Sequence, residues 1–299
     1  MLKVSKITKS YGDLKAVDNL SFEVQDGEIF GLLGVNGAGK TTTFRIVMGL
    51  LDADSGNVTL DGKPIDYSVT DRIGFLTEER SLLLKMTVYD QVIYYGILKG
   101  MDEVTIEKEL DKWLERFEIE KYKYRKIKEL SKGNQQKVQF ITSIINKPKL
   151  LILDEPFSGL DPINAAMFME VIREFQREGS IIIFSSHRME QVEVFCQKLA
   201  ILVKGRAVIE GKLTDIKKEY RKKNIVIEGD VDNDKLIKID GVIEVNDGIN
   251  GVEVKIEDEK YIDDVFKYVA KCKNITRFAV EEPSLNEIFV SKVGESFGN

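Results

Sequence analysis

The chain has 299 residues, 43% of them hydrophobic and 31% charged, a composition typical of soluble globular proteins with one large domain and a small one, or with two domains. Its net charge of -6 excludes the overall basic excess of most nucleic-acid-binding proteins, so we expect no nucleic-acid partner. Two cysteines exclude a disulfide framework, and no apolar run approaches the roughly 18 residues that cross a bilayer. The start MLKVSKITKS lacks the apolar stretch of a signal peptide, so the expected location is the cytoplasm.

Strand patterns occupy the first thirty residues. LKVSKIT, LSFEV and EIFGLLG alternate between apolar and polar positions, with turn signals at Gly12-Asp13 and Asp26-Gly27. A helical spacing of apolar residues follows Lys40, and residues 82–130 have a mostly helical pattern. From Leu150 the patterns alternate: LLILD, a helix over about 162–178, SIIIFSS, a helix over about 188–196, and LAILVKGR. Buried parallel strands separated by helices predict an α/β sheet within a domain covering residues 1–211.

The pattern changes near Lys212, where the charged stretch KLTDIKKEYRKKN predicts a linker helix over residues 212–223. Over residues 224–299, strand patterns in NIVIEG, GVIEVNDGINGVEVKI and ITRFAVEE accompany a helix over about 259–272. Ser284 and Glu287 have the spacing of a capping box, which marks the start of a last helix. These signals predict a small C-terminal α+β domain.

A glycine-rich sequence, GVNGAGKT over residues 34–41, satisfies the pattern G-x-x-x-x-G-K-[ST] between a predicted strand and a predicted helix. Glycines let the backbone curl so that successive N–H groups point at phosphate oxygens, and the positive end of the helix reinforces them. Lys40 would reach the β- and γ-phosphates, and the Thr41 hydroxyl would ligate Mg²⁺. The predicted ATP-binding residues in this stretch are Gly34, Asn36, Gly37, Ala38, Gly39, Lys40, Thr41 and Thr42.

Two carboxylates follow the buried strand LLILD. Asp154 leaves its carboxyl end, where ligands bind in open α/β sheets, and would hold Mg²⁺ through water. Glu155 can direct its carboxylate at an attacking water as general base. The alternative, an acidic pair that caps a helix after Pro156, is weak beside the glycine-rich sequence. His187 follows SIIIFSS and should project to the same sheet edge, within reach of a γ-phosphate.

In its motifs and their order, the chain over roughly residues 1–210 resembles the ATP-binding subunit of an ABC transporter. The motifs that carry the resemblance are Tyr11 ahead of the first hairpin, GVNGAGKT, IGFLTEE, LSKGNQQK, LLILDEP, SGLD and His187. The resemblance implies a P-loop NTPase fold of the ABC type, α/β with a mixed sheet core, a β subdomain and a helical subdomain at about 82–140. LTEER, LSKGNQQK and the ending EPSLNEIFVSKVG are similar to the subgroup for sodium extrusion and related exporters.

The resemblance also implies a role for several single residues. Tyr11 would stack on adenine, and His187 would hold the γ-phosphate and the attacking water. Glu78 occupies the place usually held by a glutamine that contacts Mg²⁺ and water, with Glu79 as the alternative one residue on. The implied cofactors are ATP and Mg²⁺. Glu155 and His187 are the predicted catalytic pair.

LSKGNQQK resembles the family signature LSGGQ, which in that family closes over the ATP held by the P-loop of a partner subunit. Ser131 and the Gly133 backbone offer donors at a helix N-terminus, a suitable place for a γ-phosphate. The resemblance implies a second ATP-binding subunit, identical or different. It also implies that bound ATP holds the two subunits together as a dimer. The predicted interface residues are Ser131, Lys132, Gly133, Asn134, Ser158, Gly159, Leu160 and Asp161.

Three positions depart from the family pattern. Lys132 replaces the first glycine of the signature, Asn134 replaces its glutamine, and Glu78 replaces the glutamine described above. Lys132 either helps to hold phosphate or points to solvent. Glu78 keeps an oxygen for Mg²⁺ and adds negative charge, which either slows hydrolysis or tightens metal binding.

The leading hypothesis is an ATPase subunit that drives export through a separate membrane-spanning subunit from the cytoplasmic face. The stripe Val88, Val92, Tyr95 and Leu98 is either its docking surface or core of the helical subdomain. The alternative is a soluble ABC ATPase acting on ribosomes or DNA. A long coiled coil or a second cassette, typical of those proteins, is missing from the sequence. For the C-terminal domain, regulation, a further dimer contact and a structural appendage remain equally open.

Overall fold

The computed structural model describes residues 1–79, 81–186, 188–220, 222–248 and 251–297, and for residues 67 and 293–297 it describes the backbone alone. The described chain divides into two compact units, Met1–Glu210 and Gly211–Asn299. Fourteen strands are present among the described residues: β1 Leu2–Tyr11, β2 Leu14–Val24, β3 Ile29–Gly34, β4 Ser55–Leu60, β5 Lys63–Pro64, β6 Ile73–Leu76, β7 Leu150–Asp154, β8 Ile181–Ser186, β9 Lys198–Val203, β10 Arg206–Lys212, β11 Lys223–Asp230, β12 Val242–Asp247, β13 Gly251–Ile256 and β14 Lys273–Glu281.

The helices separate these strands much as the apolar periodicity predicts. They are α1 Lys40–Val47, α2 Val88–Leu98, α3 Glu103–Arg116, α4 Lys132–Ile144, α5 Pro162–Arg177, α6 Met189–Phe195, α7 Leu213–Glu219, α8 Asn233–Leu236, α9 Ile262–Val269 and α10 Leu285–Phe297. Short 3₁₀ turns lie at Tyr67–Arg72, Glu120–Tyr122, Ile127–Glu129 and Glu259–Tyr261. In the part of the chain that the structure describes, no helix combines the length and the hydropathy of a membrane span.

The sheet that carries the site has the strand order β10-β9-β3-β8-β7-β6. Parallel pairing joins β9, β3, β8, β7 and β6, so their carboxyl ends meet at one edge. The strands β3, β7 and β8 are buried at every position, which explains their continuous apolar runs. The prediction of a buried parallel α/β sheet is confirmed.

A second, antiparallel sheet with the order β2-β1-β4-β5 packs beside the first. The ring of Phe22 on β2 stacks on Phe30 of β3, with 4.6 Å between centroids, and both side chains are buried. Strands β4 and β5 have no counterpart in the sequence-based expectations, because β4 is exposed over SGN and buries only Val58 and Leu60. The contact between Phe22 and Phe30 joins the antiparallel sheet to the start of β3, the strand that leads into the glycine-rich loop.

Helices α2, α3 and α4 form the helical region expected at about 82–140. Residues 117–131 of that region are instead loop with two 3₁₀ turns. The ring of Phe140 on α4 stacks on Phe168 of α5 at 4.4 Å, which ties α4 to the sheet-bearing part of the unit. Val88 and Val92 are fully buried, so these two belong to the core and the expectation of a docking stripe is wrong for them.

The C-terminal unit is a sheet of order β12-β13-β11-β14 with helices on it. Ile225, Ile227 and Val254 form its buried face together with Val265 of α9. The predicted linker helix is α7, shorter than 212–223, and the predicted helix at 259–272 begins as a 3₁₀ turn. Ser284 and Glu287 form the predicted capping box: the Glu287 N–H donates to Ser284 Oγ at 3.2 Å, and the Ser284 N–H donates to Glu287 Oε2 at 2.9 Å.

Candidate functional site

The glycine-rich loop connects β3 to α1 at the carboxyl edge of the parallel sheet. Gly34, Gly37 and Gly39 all have positive φ, at 151°, 78° and 106°. A Cβ on Gly39 would lie 2.3 Å from the Ala16 carbonyl oxygen, so only glycine fits where the loop passes the β1–β2 hairpin. A Cβ on Gly34 would lie 2.6 Å from the Leu202 carbonyl oxygen. The loop is therefore held in its curled form by close approaches on two sides.

Lys40 is buried at the first position of α1, with 9% of its surface exposed. Its Nζ donates to the carbonyl oxygen of Gly34 at 2.6 Å and lies 3.4 Å from that of Val35. The ammonium thus points back across the loop that it belongs to. Thr41 is exposed at the helix start and Thr42 is half-buried. Backbone N–H groups, a helix N-terminus and a cation converge here, which is the arrangement that binds phosphate.

A cavity of about 730 Å³ opens over this loop, within the size range of small-molecule sites. Five segments contribute to its wall: the β1–β2 hairpin, the loop with the start of α1, the residue after Thr77, the end of β7 and the turn after β9. The lining side chains and backbone belong to Tyr11, Leu14, Lys15, Ala16, Asn36, Gly37, Ala38, Gly39, Lys40, Thr41, Thr42, Glu78, Asp154 and Lys204. Tyr11 is half exposed, so its ring is available to a base.

The end of β7 brings two buried carboxylates to this edge. Asp154 is 5% and Glu155 is 7% exposed, and Glu155 has a positive φ of 49°. Ser185 at the end of β8 is the register partner of Asp154. Its hydroxyl donates to Asp154 Oδ1 at 2.5 Å and accepts from the Glu155 N–H at 3.1 Å. One serine therefore fixes both the carboxylate of Asp154 and the backbone of Glu155.

The residues predicted to hold Mg²⁺ present the oxygen donors that this ion prefers. Asp154, Glu78 and the Thr41 hydroxyl all belong to the wall of one cavity. Burial raises the pKa of Asp154, the hydrogen bond from Ser185 lowers it in part, and the charge of Glu78 raises it further. Because the negative charge of Glu78 makes ionisation of Asp154 more costly, a divalent cation bound here would stabilise the ionised Asp154 carboxylate. The donor set fits Mg²⁺.

The loop that carries Glu78 is held by a side chain from α4. Gln139 is 4% exposed, and its Nε2 donates to the Thr77 carbonyl oxygen at 3.1 Å and to Thr77 Oγ1 at 2.9 Å. It also lies 3.3 Å from the carbonyl oxygen of Glu79. Both Glu78 and Glu79 are exposed, but only Glu78 belongs to the described lining of the cavity.

The signature residues lie at the N-terminus of α4, away from that cavity. Ser131 is the N-cap, and its Oγ accepts from the Asn134 N–H at 3.3 Å. Ser131 and Lys132 are exposed, and a Cβ built on Gly133 would meet nothing within 4 Å. The described lining of the cavity includes none of these residues. The structure therefore does not bring Ser131 and Gly133 to the glycine-rich loop of the same chain.

The loop Ser158 to Asp161 likewise faces outward. Ser158 and Gly159 are exposed, Gly159 has a φ of 72°, and Leu160 is half-buried. Asp161 is the N-cap of α5, with Oδ1 accepting from the Asn164 N–H at 2.9 Å. His187 lies outside the described residues. No helix follows Pro156 directly, so an acidic pair capping one there is not what the structure contains.

Sequence reasoning missed Ser185, Gln139 and Lys204. Ser185 had a signal, because a polar pair ends the otherwise apolar run SIIIFSS. Gln139 had none, since a glutamine on a helix gives no sign of which loop it meets. Lys204 belongs to the cavity wall only because β9 lies next to β3.

A family model for the ABC transporter matches residues 17–158, and one for the C-terminal domain of DrrA1-3-like ATP-binding proteins matches residues 211–293. Among curated relatives, an uncharacterised ABC transporter ATP-binding protein, YhaQ of Bacillus subtilis, is 47% identical over 98% of this chain and 99% of its own length. The linearmycin resistance ATP-binding protein LnrL of the same species is 30% identical over 99% of both chains. The Nod factor export ATP-binding protein I of Sinorhizobium fredii is 34% identical over 71% of this chain and 62% of its own.

Solved structures similar to this chain are also parts of ABC transporters. An ATP-binding subunit of an ABC transporter matches with a TM-score of 0.70 at 29% identity, covering 74% of this chain and 93% of that one. The dimeric structure of a bacterial ABC transporter cassette matches with a TM-score of 0.66 at 25% identity, covering 71% and 99%. The chain belongs to the ATP-binding proteins of ABC transporters. It is an ATPase of the cassette type, with a DrrA-like C-terminal domain.

Proposed function

We propose that this chain is the ATP-hydrolysing subunit of an exporter, in which two ATP-binding subunits bind ATP between them and drive a separate membrane-spanning subunit from the cytoplasmic face. Relatives named for linearmycin resistance and Nod factor export support an export role. The dimeric cassette among the structural neighbours supports the pairing of two subunits.

One observation supports the proposed dimer: the predicted ATP ligands of the cavity and those at the N-terminus of α4 lie apart in a single chain. Tyr11, Lys40 and Asp154 share one cavity. Ser131 and the N-terminus of α4 are exposed and do not belong to its described lining. A head-to-tail pair would complete each cavity with donors from the neighbour's helix, and its two-fold symmetry would create two equal sites.

The proposed chemistry assigns each residue of this chain one task. Lys40 and the loop N–H groups bind the β- and γ-phosphates, and Tyr11 stacks on the base. Glu155 accepts the proton of the attacking water, and His187 holds the γ-phosphate and that water. Mg²⁺, when bound by Thr41, Glu78 and Asp154, supplies positive charge to the phosphate oxygens. Lys132, Asn134 and the residues Ser158 to Asp161 line the proposed subunit interface.

Mixing two inactive variants tests the shared site. Lys40→Ala should bind ATP very weakly, and Ser131→Tyr should bind ATP but block the neighbour's site. In a hybrid dimer, the loop of the Ser131→Tyr chain meets the intact signature of the Lys40→Ala chain, so one site of two is whole. An equal mixture should regain up to about a quarter of wild-type ATPase activity, since about half of the dimers are hybrids.

The control mixes Lys40→Ala with Ser131→Tyr/Lys40→Ala, in which no hybrid contains a whole site. Restored activity in the first mixture and none in the second is the expected result. Wild-type turnover that is independent of protein concentration, with none regained on mixing, would contradict the shared site. Near-normal ATP affinity of Lys40→Ala would contradict the assignment of the phosphate cradle.

A second cavity, of about 270 Å³, supports a docking place for the membrane-spanning subunit. Tyr95 of α2 and Lys99, the residue after that helix, line it together with Gln139. Leu50, which also lines it, is 64% exposed, and Leu98, the residue before Lys99, is 63% exposed, so apolar surface is available to a partner here. Gln139 also donates hydrogen bonds to the residues on either side of Glu78, which lines the ATP cavity. A partner segment bound in the second cavity would therefore contact a residue that positions part of the ATP site.

Tyr95→Glu tests the docking, with Val104→Glu on α3 as the matched control because Val104 is 80% exposed and does not belong to the lining of this cavity. Each variant is co-expressed with a candidate membrane-spanning subunit that co-purifies with the wild-type chain, and co-purification is measured. Tyr95→Glu should lose co-purification while Val104→Glu keeps it. Unchanged co-purification of a folded Tyr95→Glu chain would remove the docking proposal, and salt-sensitive association with ribosomes or DNA would favour the soluble alternative.

A further inference from the structure

The two-residue turn Lys204-Gly205 between β9 and β10 contributes Lys204 to the ATP cavity. Both residues have positive φ, at 48° and 81°, which is the pattern of a type I′ turn. Asn-Gly and Asp-Gly are preferred in such turns, and a lysine in the left-handed region is strained. Strained backbone of this kind is concentrated at functional sites, so a strained lysine in the wall of a ligand cavity is a candidate ligand-binding residue.

Hydrogen bonds on both sides hold this turn against the site. The Gly205 N–H donates to the Ala38 carbonyl oxygen at 3.0 Å, and the Asp18 N–H donates to the Gly205 carbonyl oxygen at 2.8 Å. A Cβ on Gly205 would lie 2.9 Å from the Ala16 carbonyl oxygen, the same atom that Gly39 approaches. The turn, the glycine-rich loop and the β1–β2 hairpin thus meet at one point, which fixes the backbone of Lys204 relative to the loop.

Lys15 and Arg206, which lie near this turn, share the carboxylate of Asp18. Lys15 Nζ lies 3.4 Å from Asp18 Oδ1, and the Arg206 guanidinium donates to Asp18 Oδ2 at 2.6 Å. The guanidinium of Arg206 lowers the pKa of Asp18, so this carboxylate stays ionised and offsets their charges. Lys204 adds positive charge to a cavity that must hold a polyphosphate.

The strand order decides which part of the nucleotide Lys204 can meet. In the sheet, β3 lies between β9 and β8, with β7 one strand further on. Lys204 follows β9, so it lies on the side of β3 away from Asp154 and Glu155, where the terminal phosphate is hydrolysed. Its neighbour across the turn is Ala16, in the hairpin that begins at Tyr11.

We infer that Lys204 is a nucleotide ligand that binds the α-phosphate, the part that ATP and ADP share. The ammonium is a compact cation on a flexible stem, which suits an exposed contact to one phosphate. Because the contact does not reach the hydrolysed bond, it increases the affinities for both nucleotides alike. It also helps to retain ADP after hydrolysis.

Lys204→Asn separates charge from turn geometry. Asparagine is preferred at this turn position, so the variant keeps the turn while removing the cation. Lys6→Asn is the matched control, because Lys6 is another exposed lysine with a φ of 49° and does not belong to the cavity lining. Titration calorimetry with ADP and with ATP, in the absence of turnover, measures both affinities, and thermal unfolding without nucleotide measures the fold.

Lys204→Asn should weaken the binding of ADP and of ATP by the same factor, about two- to fivefold for one exposed ionic contact, while Lys6→Asn changes neither affinity. Its unfolding temperature should equal or exceed that of the wild type. Equal affinity to the wild type would overturn the inference, and so would a loss confined to ATP, which would move the contact to the γ-phosphate. If Lys204→Asn unfolds early, Lys204→Arg must keep the affinities and Lys204→Gln must lose them, and equal behaviour of that pair would refute the role.

Discussion

The carboxyl edge of the parallel sheet and the N-terminus of α4 both offer groups for phosphate, but they differ in what surrounds them. At the sheet edge Lys40, Asp154 and Glu155 are each less than a tenth exposed, and neighbouring strands set their positions. At α4 Ser131 is exposed, and its hydroxyl accepts a hydrogen bond from Asn134 at the start of the same helix. The first region is organised by the chain itself. In the proposed head-to-tail dimer, the second region meets ATP bound by the neighbouring chain, so activity should depend on that neighbour.

Substitutions at the sheet edge should have the largest effects on ATP turnover. Glu155→Gln should reduce ATP turnover by roughly 10²–10⁴, the usual contribution of a general base, while ATP binding persists. Because hydrolysis then no longer separates the subunits, the ATP-bound dimer should accumulate in size-exclusion chromatography. Glu178→Gln, an exposed glutamate at the end of α5, should leave turnover unchanged. Wild-type turnover of Glu155→Gln would mean that another base acts.

Ser185 should produce the next largest effect, because it positions two carboxylate residues at once. Ser185→Ala should lower turnover about tenfold, the scale of one lost hydrogen bond to a charged group. The bond from Ser185 lowers the pKa of Asp154, so its loss should move the acid limb of the pH–rate profile to higher pH.

The matched control is Ser180→Ala at the other end of β8, where the buried hydroxyl donates to the Pro148 carbonyl oxygen at 2.9 Å. It should leave the pH profile in place. Ser185→Thr keeps a hydroxyl and should recover part of the rate. An unshifted profile for Ser185→Ala would show that the serine is only structural.

Gln139 connects the two regions, since it extends from α4 to the loop of Glu78. Gln139→Ala should lower kcat three- to tenfold with ATP affinity unchanged, an effect of about 1 kcal/mol for lost positioning hydrogen bonds. Ser143→Ala is the control on the same helix, because its hydroxyl donates only to Phe140 of α4 at 2.7 Å among the described contacts. A change in ATP affinity with kcat preserved would disprove a positioning role.

The smallest effect is on stability. Burial raises the pKa of Asp154 in the folded chain above that in the unfolded chain, so stability falls as pH rises through this window and neutral pH carries the full cost. Asp154→Asn should therefore be more stable than the wild type at neutral pH, although inactive, and the difference should shrink toward pH 4.

Thermal unfolding without nucleotide measures this difference. Asp161→Asn is the contrasting case, because the backbone N–H of Asn164 lowers the pKa of Asp161, and it should show no such gain. A wild-type chain that is more stable than Asp154→Asn at neutral pH would mean that the ionised carboxylate is stabilising.

By itself, the sequence determined the elements whose signal is local. Continuous apolar runs predicted β7 and β8, because strands buried on both faces need apolar residues along most of their length. Glycines spaced as in GVNGAGKT predicted a phosphate loop, because positive φ and close backbone approach require that residue. The spacing of Ser284 and Glu287 likewise predicted the capping box that the structure contains.

Tertiary structure alone decided which residues distant in sequence meet. The sheet register placed Ser185 opposite Asp154, and the strand order placed Lys204 beside the glycine-rich loop. Packing decided that Val88 and Val92 are core while Leu98 is exposed, although all three share one helical stripe in the sequence. The physical reason is that periodicity specifies which face of an element is apolar but not which neighbour covers that face, and the covering neighbour is settled only when the elements pack.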